Sequence, residues 1–153
     1  MKEADYAAIC EKAAEIIEEQ GWTKGAVIHE GTGSVCLQGA LGVAAGIYEI
    51  VWTDRDGVGR YDYAPVNRDG LGMSFNNDFD VANAAVYAYL QKYMDFEGMY
   101  THQWNDNCVT VGSEVSDVLK RTAKEISNGT LSRSPSFSGD PMWVPKVPTD
   151  DVL

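Results

Sequence analysis

Histidine is scarce in this chain of 153 residues, which has two, and no run of apolar residues approaches the length of a membrane-spanning helix. The N-terminus also lacks the basic and apolar regions of a signal peptide. The three cysteines, Cys10, Cys36 and Cys108, are odd in number and share no spacing typical of a metal or redox site. We therefore expect a cytoplasmic protein with reduced thiols, no membrane contact, no metal and no cofactor.

Basic residues are also few, because the chain has 12 lysines and arginines and 23 aspartates and glutamates, for a formal net charge of −11. Such a surface repels phosphate backbones and the basic residues do not cluster, so direct nucleic-acid binding is not expected. An acidic surface favours solubility, and it also allows imitation of DNA against a DNA-binding protein. The net charge therefore argues against nucleic acid as the partner and is compatible with a protein partner.

The spacing of apolar residues predicts a single, mainly α domain (α+β) of about four helices, over residues 3–20, 35–47, 75–93 and 113–127. Short strands or a small β-hairpin are expected near 26–29 and 48–53. The second helix contains glycines at 39, 42 and 46, each of which costs about 1 kcal/mol relative to alanine in a helix. We expect another element to cross close to the backbone there.

Two near-copies, residues 54–59 and 67–72, contain Asp-Gly and lie in an irregular region. A calcium loop needs an oxygen ligand two positions before each copy, where the chain has Trp52 and Pro65. The copies therefore predict a pair of Asp-Gly turns rather than a calcium site.

The predicted helical domain covers residues 1–128, and residues 129–153 are expected to form an extended tail. The tail contains four of the five prolines and shows no helical period. It also contains Phe137, Met142 and Trp143, which suit a docking motif for another protein. The alternative is that these side chains pack on their own domain, or on the neighbouring subunit of a homodimer.

The most informative stretch is Trp104, Asn105 and Asp106, which we predict to be a loop ahead of the last helix. Trp104 would anchor this loop in the core, while Asn105 and Asp106 would bond neighbouring backbone amides and prepare the chain for that helix. The alternative is a polar pocket for a ligand. Its convergent residues would be Trp104, Asn105, Asp106, Gln38 and His102.

A catalytic alternative begins with Cys36, which lies at or near a helix N-terminus, where the helix dipole lowers a thiol pKa. His102 would be its base, with His29 as the second candidate, and Asn105 or Asp106 would orient the imidazole. A cysteine among alanines and glycines is more often a packing residue. A Cys36-dependent thiol hydrolase or transferase is therefore the alternative, and no catalysis is the expectation.

Three short stretches carry a resemblance to a known family. They are residues 14–26, the Cys-Leu-Gln-Gly-Ala-Leu run at 36–41, and Trp-Asn-Asp at 104–106 followed by Glu-Val at 114–115. Over residues 5–127 the chain resembles a family of small uncharacterised proteins of actinobacteria and their phages. That family usually has a Pro-Gly-Arg-Thr-like segment where this chain has residues 107–113 without arginine, so a role carried by that arginine is in doubt. The resemblance implies a fold and a phage-like origin, but no reaction.

Together these observations predict a phage-type accessory protein in the cytoplasm of a host cell. It would bind a host protein through its acidic surface or its tail, without catalysis. The alternatives are the Cys36 thiol enzyme and a protein that sequesters a small molecule.

Overall fold

The computed structural model describes residues 3–66, 77–133 and 143–145. In chain order the elements are α1 (Glu3–Gln20), α2 (Leu37–Ala44), β1 (Tyr48–Arg55), β2 (Val58–Pro65), α3 (Asn77–Tyr93), α4 (Thr101–Asn107), α5 (Gly112–Ser127), β3 (Leu131–Arg133) and β4 (Trp143–Pro145). The predicted mainly helical α+β fold with a β-hairpin is confirmed. The described residues form five helices rather than about four, and none of these is long and apolar enough to span a membrane.

The core is built around α1 and α5, which pack on each other along much of their length. Both helices place apolar residues on one face at a spacing of three to four residues, so each can bury a continuous stripe. The buried residues of α5 are Val115, Ser116, Val118, Leu119, Thr122, Ala123 and Ile126. On the surface of this pair, Lys120 Nζ lies 2.7 Å from Glu18 Oε1.

The glycines of α2 are explained by close contacts and by the end of the helix. A Cβ at Gly39 would lie 2.5 Å from the carbonyl oxygen of Val27, and a Cβ at Gly42 would overlap the Tyr63 hydroxyl. The predicted close approach is therefore confirmed at both positions. Gly46 has a different role, because its φ of +79° ends the helix while its N–H donates to the Val43 carbonyl.

Strands β1 and β2 form an antiparallel hairpin in which Arg55 pairs with Val58. The two residues between them, Asp56 and Gly57, have φ angles of 55° and 79°, as a type I′ turn requires. The first predicted Asp-Gly turn is thus confirmed, and the second copy, residues 67–72, lies outside the described residues. On one face of the hairpin Thr53 hydrogen-bonds to Asp62.

The predicted strand at 26–29 is wrong. Residues 21–36 form a loop held by isolated bridges, in which Val35 pairs with Trp22 and with Ile28. Glycines at 21, 25 and 33 all adopt positive φ in this segment, which breaks the regular repeat that a strand needs.

Part of the predicted tail packs on the helices. Strand β3 pairs with β4, and Leu131 and Trp143 belong to the hydrophobic core. The Trp143 indole N–H donates to the Val81 carbonyl on α3 over 2.9 Å, and its ring meets that of Tyr6 edge-on. Trp143 therefore packs on its own domain, whereas Phe137 and Met142 lie outside the described residues.

Candidate functional site

Trp104, Asn105 and Asp106 lie on helix α4, so the prediction of a loop at this position is wrong. Gln103 stabilises the start of α4, because its Oε1 accepts hydrogen bonds from the backbone N–H groups of Met99 at 2.8 Å and Tyr100 at 3.1 Å. These donors would otherwise be unsatisfied at the helix N-terminus. The predicted role in starting the last helix is also wrong, since α5 begins at Gly112 after an extended Val111.

Asn105 is the central polar residue of this region and is 0% exposed. Its Oδ1 accepts from the Trp22 indole N–H at 2.8 Å and from the Leu37 N–H at 3.0 Å. Its Nδ2 donates to the Thr23 carbonyl at 3.3 Å and to Asp106 Oδ1 at 2.9 Å. The side-chain amide therefore uses both donors and both acceptor sites within the fold, and it joins α4 to α2 and to the loop before α2.

Trp22 extends this connection to α5. Its indole is held by Asn105, and a Cβ at Gly112 would lie 2.6 Å from the Trp22 Cβ. The backbone at the start of α5 therefore packs directly against Trp22. No local pattern indicates this contact, because the residue that fixes the Trp22 indole lies 83 positions away.

Asp106 binds the loop before α2 at a second point, Gly25. Its Oδ1 accepts from the Gly25 N–H at 3.0 Å as well as from Asn105. Partial burial acts to raise the pKa of Asp106, but the hydrogen bonds from Gly25 and Asn105, with the nearby charges of His102 and Lys24, leave it lowered. Asp106 is thus an ionised carboxylate that binds the backbone amide of Gly25, 81 positions away, and not a neighbouring amide as the sequence predicts.

Cys36 is the N-cap of α2, and its Sγ accepts a hydrogen bond from the Gly39 N–H at 3.3 Å. The predicted position at a helix N-terminus is correct, but the expected effect on the thiol is not. Burial raises the pKa of Cys36, and hydrogen bonds from the backbone offset this only in part. With 5% of its surface exposed, Cys36 is a capping and packing residue in this geometry.

Neither histidine forms a hydrogen bond to Cys36 among the residues that the structure describes. His102 is exposed and stacks on Tyr100, with ring centroids 5.4 Å apart and planes 11° apart. His29 is exposed in the loop before α2, where its Nδ1 accepts from the Gly31 N–H. The residues of the predicted catalytic set share one region of the molecule, but they do not form the bonded nucleophile, base and orienter that the chemistry needs.

Gln38 belongs to a second polar connection, which the sequence does not predict. Its Nε2 donates to Thr101 Oγ1 at 3.2 Å, and that hydroxyl donates to Asn83 Oδ1 at 2.7 Å. The chain of side chains joins α2, α4 and α3, and Thr101 is buried within it. No local pattern indicates these partners, because Gln38 and Thr101 are 63 positions apart.

The family of unknown function DUF6197 matches residues 1–125 of the chain. The protein belongs to this family. The match includes the whole Trp-Asn-Asp region and most of α5, and it ends before β3 and β4. No curated protein and no solved structure matches the chain. DUF6197 carries no assigned activity, so membership identifies the fold's relatives without identifying a reaction.

This DUF6197 chain also has an open groove of about 540 Å³ between the end of α1 and the start of α5. Its lining mixes Ile17 and Trp22 with the charged side chains of Glu18, Asp117 and Lys120. The five predicted ligand-binding residues, Trp104, Asn105, Asp106, Gln38 and His102, do not line this groove. Within the described residues, no group of three or more His, Cys, Asp or Glu side chains is placed to hold a metal ion.

Proposed function

We propose that this DUF6197 protein acts by binding another protein, without catalysis, as a phage-type accessory protein in the cytoplasm of a host cell. The observation that carries the proposal is the state of Asn105, whose amide is fully occupied by four internal hydrogen bonds. A polar side chain that binds a small ligand or takes part in catalysis needs free donors or acceptors, and Asn105 has none left. This argues against a ligand pocket or an active site at Trp104, Asn105 and Asp106, and it leaves the outer surface as the place of contact. The same reasoning applies to Cys36, which is buried and has a raised pKa.

The acidic surface is the favoured contact region. Glu11, Glu15 and Glu19 are exposed on α1 and lie four residues apart, so they share one face of the helix. With a net charge of −11, this surface steers a basic partner toward the molecule and accelerates association. A contact made through Trp143 is disfavoured, because that side chain is buried against α3.

The proposal is tested by capture from host lysate with the tagged full chain, at 50 mM and 500 mM NaCl. We expect a stoichiometric protein partner that binds less at the higher salt concentration, because screening weakens charge attraction. The variant His102→Ala should capture the same amount, since no catalytic group is involved. Absence of a stoichiometric partner at both salt concentrations would contradict the proposal.

The acidic surface is tested with two matched triple variants. Glu11→Gln, Glu15→Gln and Glu19→Gln change α1, while Asp80→Asn, Asp95→Asn and Glu97→Gln remove the same charge elsewhere. If the α1 variant alone slows association, the α1 face contacts the partner, and if both slow it equally, net charge provides the attraction. If neither slows association, the acidic surface plays no part.

A second candidate function is sequestration of a small molecule, which the groove between α1 and α5 favours because it offers about 540 Å³. Native mass spectrometry of the purified protein tests this alternative. A bound metabolite that is displaced by a bulky substitution in the groove, Ser113→Trp, would support it. Protein observed only at the mass of the bare chain would contradict it.

A further inference from the structure

Trp52 lies on β1 with 60% of its surface exposed, which is unusual for the largest apolar side chain. Trp52 belongs to the hairpin of β1 and β2. Apart from the pairing of these two strands, the hairpin packs mainly on α2 and on the loop before α2. Val58, at the start of β2, is 64% exposed close to the turn. The distal half of the hairpin therefore presents aromatic and aliphatic surface away from the core.

The indole of Trp52 is nevertheless held in place. It lies edge-on to Tyr61, with ring centroids 4.8 Å apart and planes at 74°. A Cβ at Gly59 would overlap the indole, and a Cβ at Gly33 would lie 3.2 Å from the Tyr61 ring. The Tyr61 N–H also donates to the Glu30 carbonyl at 2.8 Å, which fixes this part of β2.

Two glycines thus give room to two packed rings, and the outer ring is still exposed. An aromatic side chain that is already ordered loses less conformational entropy when it enters a partner's pocket. Tryptophan and tyrosine are also enriched among the residues that contribute most to binding energy. These features are those of an anchor residue in a protein interface.

The charges around Trp52 define the partner. Strands β1 and β2 with their turn contain four acidic and two basic residues, and Glu49, Asp54 and Asp56 are exposed. A partner surface bordered by lysine or arginine complements these carboxylates. Phosphate-bearing partners such as nucleic acids and anionic membranes are repelled by the same charges.

We propose that Trp52 is the anchor of a protein-binding surface whose partner provides an apolar pocket bordered by lysine or arginine side chains. The inference rests on the proposed protein-binding function, and it adds the hairpin as a contact besides the acidic face of α1, together with the chemistry of the partner. Asp56 is the favoured ionic neighbour, because it is exposed and lies in the turn, four residues after Trp52.

The experiment compares the tagged full chain with Trp52→Ala, Trp52→Phe and Met99→Ala in binding to the proteins of host lysate, followed by affinity measurement on the captured protein. Met99 is 71% exposed and lies outside the hairpin, so it is the matched control. We expect Trp52→Ala to weaken binding by about 30-fold or more, Trp52→Phe to weaken it less, and Met99→Ala to leave it unchanged. Asp56→Asn tolerates the positive φ of the turn and should weaken binding only at low salt.

Capture alone does not support the inference, so a photo-crosslinking residue is placed at Val58 and, as a control, at Met99. Crosslinks from position 58 to a segment of the captured protein rich in lysine or arginine are expected, with none from position 99. A partner that binds wild type and Trp52→Ala equally would overturn the inference and leave the proposed function standing. Crosslinks to a second copy of this chain, or to an acidic segment, would overturn it as well. If wild type captures no partner, both the proposed function and the inference fail.

Discussion

The Trp22 indole donates a hydrogen bond of 2.8 Å to the side-chain oxygen of Asn105, and this single contact joins residues 83 positions apart. The same oxygen accepts from the Leu37 N–H at the start of α2. Asn105 thereby fixes the loop before α2, the beginning of α2 and helix α4 relative to one another. The Trp-Asn-Asp region is for this reason a structural junction, in which the polar atoms of Asn105 are directed inward.

Replacement of Asn105 by alanine should therefore destabilise the protein strongly. The substitution leaves the buried Leu37 N–H and the Trp22 N–H without their acceptor, and each unpaired group costs about 1–3 kcal/mol. We expect a loss of about 3 kcal/mol in the free energy of unfolding, measured by urea denaturation followed by circular dichroism. Asn107→Ala, on the exposed end of the same helix, is the control and should change stability by less than about 0.5 kcal/mol. Similar losses for the two variants would contradict the junction.

Asp106 should make stability depend on pH in the acidic range. Its pKa in the folded protein is lowered from the ordinary value of 3.8, so the folded state releases this proton more readily than the unfolded state. The stabilisation by the ionised Asp106 carboxylate is complete above pH 3.8, and it is lost as the pH falls through the lowered pKa of the folded state. We expect the difference in free energy of unfolding between wild type and Asp106→Asn to be constant around neutral pH and to shrink below pH 3.8.

Urea denaturation at a series of pH values measures this difference. Asparagine keeps an oxygen that accepts from Gly25, so Asp106→Asn changes charge more than geometry. Asn107→Ala, an exposed change on the same helix that removes no ionisable group, is the control, and its stability difference from wild type should not change with pH. A difference for Asp106→Asn that grows as the pH falls would show that the carboxylate does not stabilise the fold.

Much of the fold could be predicted because its largest elements depend on local patterns. Helices α1 and α5 repeat their apolar residues at helical spacing, and both were placed within one residue of their observed ends. The turn at Asp56 and Gly57 was predictable because few other residues accept positive φ in succession. Asn128 and Gly129 end α5, with Gly129 at a φ of +79° that glycine adopts without strain.

The junction could not be predicted in the same way. Helix α4 has seven residues, which is too short for a periodic pattern to distinguish it from a loop. The partners of Asn105 lie between 68 and 83 positions away, apart from the adjacent Asp106. The exposure of Trp52 had no signal either, since strand alternation places it on the same face as the partly buried Ile50.

Replacement of Gly42 by alanine should destabilise the protein, although alanine in a helix is generally more stable than glycine by about 1 kcal/mol. A Cβ there would overlap the Tyr63 hydroxyl, and the Tyr63 ring is held by stacking on Tyr48 at 4.2 Å. We expect Gly42→Ala to cost about 1–3 kcal/mol, as overpacked cores do. Urea denaturation measures the loss.

A double-mutant cycle identifies the cause of that loss. Tyr63→Phe removes the hydroxyl, so Gly42→Ala should cost less in the Tyr63→Phe background than in wild type. Equal costs in the two backgrounds would mean that the clash with the hydroxyl is not the reason for glycine at position 42.

The three cysteines should differ sharply in reactivity. Burial raises the pKa of Cys10 to about 12 and also raises that of Cys36, whereas Cys108 is exposed. Because the thiolate is the reactive form, a thiol reagent at neutral pH should modify Cys108 first and the other two only on unfolding. Mass spectrometry of the native protein after brief alkylation measures this order. Rapid modification of Cys36 that is lost in His102→Ala would instead support the thiol enzyme.

Trp143 and Trp52 form a matched pair, because they are the same residue type with 6% and 60% of the surface exposed. Trp143→Ala removes a core side chain and its hydrogen bond to the Val81 carbonyl, so we expect a loss of about 3–5 kcal/mol. Trp52→Ala removes a side chain that is mostly in water, so the loss should stay below about 1 kcal/mol. Thermal and urea denaturation of both variants measure the two losses. If Trp52→Ala were the more destabilising variant, Trp52 would be retained for folding, and its exposure would no longer argue for a partner.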